Sequence, residues 1–152
     1  MNRLADALYS VAVTLWVGGL WTVGLIIAPL LFHQVPDRSL AGALAGQFFA
    51  AIAYIGIGCG AYLLFLMMAR SGAQSFSQPS FWIVTLMLVL TIAVQFGVRP
   101  ILEGLRQQAL PGEVMQSILR DRFVAWHGVS SVLYLIECIL GLVMVLLPPC
   151  GK

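Results

Sequence analysis

Phe123 to Gly141 reads FVAWHGVSSVLYLIECILG. It is an apolar run carrying one imidazole, two adjacent hydroxyls, a tyrosine and a carboxylate, and these polar groups keep helical spacing. From His127, Ser130 and Ser131 lie three and four residues on, Tyr134 seven and Cys138 eleven, so all share one helical face with Glu137 beside them. In a helix this apolar, such a face must look at protein or water rather than lipid.

The rest of the chain has the same character. Of its 152 residues 61% are hydrophobic and only 9% charged, with a mean hydropathy of +0.97, far outside the composition of soluble domains. A membrane span takes roughly 20 residues, and four apolar runs are present: 7–32, 40–69, 81–98 and 123–147. The expected fold is therefore an all-α integral membrane protein, a four-transmembrane-helix bundle in a single domain. A short amphipathic helical segment joins spans three and four: Leu102 and Leu105 oppose Glu103, Arg106, Gln107 and Gln108, and after Pro111-Gly112 a second stretch runs from Glu113 to Arg122.

The N-terminal run is too long for a secretory signal and lacks a small-x-small cleavage site after it, so it reads as a retained first span. Pro29 is expected to kink or end span one and Arg99-Pro100 to end span three, while Asp37 or Ser39 could cap span two. Net charge is +2 and the basic residues are scattered, which implies no nucleic-acid partner. Cys59, Cys138 and Cys150 form no CxxC pair, so no disulfide framework is expected. The partner is the lipid bilayer, with a homo-oligomer open through the small-residue edges Gly42/Gly46 and Gly56/Gly60.

In an up-and-down bundle, His33, Asp37, Arg38, Gln47, Arg99, Glu103, Arg122 and His127 gather at one end, here called face B. Five of the eight Lys and Arg residues lie there, which favours face B as cytoplasmic. The set His127, Ser130, Ser131, Arg99, Glu103 and Gln47 is the candidate ligand site, for binding or transport of a small ligand or a metal cation; the alternatives are a haem- or metal-binding redox protein and a structural partner that binds other membrane proteins through its small-residue edges. His33 and His127 are the only histidines and are candidate ligands for a b-type haem or a divalent metal; the alternative is a hydrogen-bonded interfacial pair. No acid stands near Ser130, Ser131 and His127 in sequence, so no hydrolytic triad is supported and no enzyme activity is expected. Thr91, Gln95, Arg99 and Glu103 follow at intervals of four, on one slowly drifting face of span three.

Glu137 lies ten residues below His127, about 15 Å along a helix. A carboxylate at that depth costs roughly 2.5 to 3.5 kcal/mol on insertion scales. It reads either as an ion or proton relay or as helix glue, hydrogen-bonded to Gln95, Thr91 or Tyr134.

The run Phe123-x-x-Trp126-His127-Gly128-Val129-Ser130-Ser131, with Arg99-Pro100-x-x-Glu103, resembles a small four-helix membrane family. That family contains the vertebrate transmembrane protein linked to cisplatin resistance, and its bacterial members are a domain of unknown function. Trp16-Val17-Gly18-Gly19, Ala28-Pro29-x-Leu31-Phe32 and Ala41-Gly42-x-x-x-Gly46-x-Phe48-Phe49 resemble its landmarks too. Where the family often has an asparagine four residues after Ser130, this chain has Tyr134. The resemblance implies a four-span protein of the bacterial inner (plasma) membrane, tied to the handling of metals or metal-containing drugs, with no established catalytic activity. A fainter likeness, to small membrane proteins of haem and copper biology, carries over no residues.

Overall fold

The computed structural model describes residues 3–108 and 118–147. Within them the chain is all helical, and four helices are long and apolar enough to cross a membrane: span one Arg3–Gln34, span two Arg38–Ser77, span three Pro79–Leu105 and span four Asp121–Leu146. Cys150, the Pro148-Pro149 stop and the connecting stretch at 109–117 lie outside the described residues.

The spans form a four-membered ring: each packs on its neighbour in sequence, and span four closes back onto span one. Only 17% of span four's most apolar window is buried inside the bundle, against 28 to 33% for the others, so it is the most peripheral helix. Large apolar side chains such as Leu25, Phe65, Phe96 and Leu135 point outward, as lipid requires.

Close approach of backbones holds the centre. Trp16, only 1% exposed, lies on Gly56 and Gly60, and a Cβ at either glycine would run into its indole. Lipid tails are as apolar as the side chains, so helices associate in a bilayer largely by such close packing. The Gly56/Gly60 edge, a candidate for contact between chains, thus seats span one of its own chain. Gly141 of span four lies against Val17 in the same way. Leu63, Met67, Val84 and Met87 fill the remaining core.

Two prolines lie inside continuous helices, and the same local device accommodates both. A proline ring crowds the carbonyl four residues earlier, here those of Leu25 and Phe96. Each of these belongs to a wide π turn, Val23–Ile27 in span one and Ala93–Val98 in span three. The helix therefore continues through Pro29 to Gln34, and through Pro100 to Gln108, rather than ending at Arg99-Pro100. The amphipathic stretch after Pro100 is, as far as Gln108, an extension of span three.

Asp37 caps span two by accepting from the Ser39 amide at 2.8 Å. At the opposite membrane face Arg70 pairs with Asp6 at 2.7 Å, tying the end of span two to the start of span one. The turn there passes through Gly72 at φ +51°, a left-handed conformation suited to glycine. It is locked by the buried Ser75 hydroxyl, which donates to the Met67 carbonyl at 2.8 Å.

Candidate functional site

Tyr134, Glu137, Cys138, Gly141 and Met144 recur at three- and four-residue steps and turn span four's inner face into the bundle. Glu137 is buried there, and its Oε1 meets the Oγ1 of Thr91 on span three, itself buried. The same Oγ1 lies 2.9 Å from the Met87 carbonyl. A hydroxyl has one proton to donate. Both contacts are hydrogen bonds at once if Thr91 donates to Met87 and a protonated Glu137 donates to Thr91. An ionised Glu137 would instead accept the Thr91 hydrogen bond and leave the Met87 carbonyl without it.

Span one braces this layer from the other side. The Tyr134 hydroxyl donates to the Leu20 carbonyl, in the turn just before the π turn of span one. Its ring covers Gly24, where a Cβ would overlap it, and meets Phe49 of span two edge-on at 5.1 Å. The Trp21 indole donates to the Cys138 carbonyl at 3.3 Å. Of the three partners open to Glu137, the structure pairs it with Thr91, while Tyr134 turns to span one. Gln95, buried in the π turn of span three, makes no hydrogen bond with the described residues. Leu20 and Trp21 had no sequence signal, since one acts through a carbonyl every residue carries and the other resembles any apolar tryptophan.

At face B the polar contacts of the candidate residues, among the described residues, stay within their own helices. Arg99 Nε and Glu103 Oε1 pair at 2.8 Å, one turn apart on span three. His127 is exposed and its ring stacks on Phe123, with centroids 6.0 Å apart. Ser131 is exposed and donates back to the His127 carbonyl at 2.9 Å, the usual habit of a helical serine. Ser130 is half-buried, and Gln47 and His33 are exposed. Among the described residues no hydrogen bond or ion pair joins His127, Ser130, Ser131 or Gln47 to Arg99 or Glu103. Nor is any group of three or more His, Cys, Asp and Glu side chains placed to hold a metal ion among them. Cys59 and Cys138 are free thiols.

A family model described as a domain of unknown function, DUF4149, matches residues 11–111. The matched stretch holds most of span one and all of spans two and three, including Thr91, Gln95, Arg99 and Glu103, whereas His127, Tyr134 and Glu137 lie beyond it. No curated protein and no solved structure gives a significant match. With two thirds of its length under that model, and with the four apolar helices such a membrane protein needs, the chain belongs to the DUF4149 family.

Proposed function

We propose that this membrane protein takes up and releases a small cation, the proton included, at Glu137 inside the bilayer. The contact between Glu137 and Thr91 in the middle of the bundle is the observation that carries this reading. Ionisable groups at that depth are expensive, and they are kept where they face a partner or a pathway. A carboxylate offers about four acceptor positions, and Thr91 is the one partner Glu137 has among the described residues. Tyr134 and Cys138 of the same span lie beside Glu137. Spans one and three bring Trp21, Leu20, Thr91 and Gln95 to this layer, with no charge among the described residues.

The test is infrared difference spectroscopy on the purified protein in lipid discs, with pH stepped and with sodium exchanged for a bulky organic cation. A protonated-carboxyl band should change in the wild type and vanish in Glu137→Gln, whose fold is checked by circular dichroism and gel filtration. A band unaffected by pH and by cation would sink the proposal.

A further inference from the structure

Resting on that reading, we infer that Glu137 exchanges protons with one membrane face only, face B, along Thr91, Gln95, Arg99 and Glu103 of span three.

Exposure rises steadily along this row. Glu137 and Thr91 are 4% exposed and Gln95 is 7%, while the side chains of Arg99 and Glu103 are 29% and 53% exposed. Hydrogen-bonding groups therefore step from the buried acid to the surface about one helical turn at a time. Gln95 is the key intermediate: the residue is 7% exposed, its amide makes no hydrogen bond with the described residues and is not fully enclosed, so a water can reach it.

The π turn keeps the row in line. An α-helix carries a step of four residues about 40° past the full turn, so three steps would rotate Glu103 about 120° away from Thr91. The π turn at Ala93–Val98 winds with more residues per turn and removes part of that drift. Toward the opposite face the row ends: Met87, Val84 and Phe81 continue span three's buried side, Gly141 closes on Val17, and Met144 lies beneath. Between Thr91 and Ser80, at the start of the helix, the buried side chains of span three are apolar.

A proton can move along such a row by exchange of hydrogen bonds through water at Gln95, and the Arg99 charge on the way is offset by its pair with Glu103. On release, the Glu137 O–H turns from Thr91 to a water at Gln95 and gives up its proton, that water passes a proton on through further water past Glu103 to bulk solvent at face B, and the Thr91 hydroxyl turns from the Met87 carbonyl to the new carboxylate.

The experiment uses the full chain, with Cys59, Cys138 and Cys150 replaced by alanine, in oriented lipid vesicles. Single cysteines are introduced as Gln95→Cys, Arg99→Cys, Met87→Cys and, facing lipid at the depth of Gln95, Phe96→Cys. A membrane-impermeant thiol reagent should modify Gln95→Cys and Arg99→Cys from face B alone, and Met87→Cys and Phe96→Cys from neither side. Modification of Gln95→Cys from the opposite face, or no faster than Phe96→Cys, overturns the inference. Gln95→Leu supplies a second readout should the cysteine variant fold poorly. It should slow hydrogen–deuterium exchange of the Glu137 carboxyl by about tenfold, equivalent to about 1.4 kcal/mol; an unchanged rate counts against the route. Titration of Glu137 without labelling at Gln95 would overturn the route and leave Glu137 as the binding group. Labelling at Gln95 in a protein whose Glu137 never titrates would overturn the binding group and leave a wet cleft.

Discussion

Cys138 and His127 are eleven residues apart on one helix, within about 20° of the same face, yet one is buried and the other exposed. Around Cys138, Tyr134 reaches span one and Glu137 reaches span three. Around His127, the ring stacks on its own helix at Phe123 and Ser131 bonds back to the His127 carbonyl. Two polar groups of similar composition thus have opposite relations to the bundle. A helical face says which residues travel together; the neighbours at each depth decide whether they meet anything.

That contrast can be broken most severely at Gly24. A leucine there would occupy the space of the Tyr134 ring, and overpacking of this kind costs about 3 kcal/mol. Thermal unfolding in detergent should register it as a large drop in midpoint, and a wild-type midpoint would mean that Tyr134 does not sit on Gly24. Thr91→Val comes next, because it removes the hydroxyl and leaves the buried carboxyl without its partner, at about 2 kcal/mol. Adding Glu137→Gln to Thr91→Val should not cost a further 2 kcal/mol, since one contact cannot be lost twice; additive losses in the double-mutant cycle would refute the pairing.

Tyr134→Phe keeps the ring on Gly24 and Phe49 but loses the bond to the Leu20 carbonyl. Interhelical hydrogen bonds in membranes average about 0.6 kcal/mol, and a shift of that order is expected in the same assay. The smallest effects belong to face B. His127→Ala and Ser131→Ala should each change stability by less than about 0.5 kcal/mol, as for side chains whose contacts among the described residues stay within their own helix. They should also leave the infrared signal of Glu137 unchanged; a loss of that signal in His127→Ala would join the two regions and undo the comparison.

Much of this was legible in the residues. The apolar runs, the burial of Glu137 away from lipid and the four-residue row on span three all follow from composition and helical period. The choice of Thr91 over Gln95 and Tyr134 does not. All three are polar, at comparable depth and chemically able to bond a carboxyl, and only the rotation and height of spans three and four relative to each other separate them. The prolines teach the same lesson locally. Pro29 and Pro100 read as helix ends because a proline ring strains a regular α-turn, and the chain answers with a π turn that no residue type announces.

The sequence by itself determined that this is a helical protein of the bilayer, because 61% apolar residues in four long runs leave backbone and side chains no other place to be satisfied. Tertiary structure alone decided what Glu137 touches, that Gly56 and Gly60 seat Trp16, and that His127 stacks on its own helix. Those contacts, His127 apart, link residues tens of positions apart, so they depend on how four rigid helices are rotated and shifted against one another, a quantity that local periodicity does not encode.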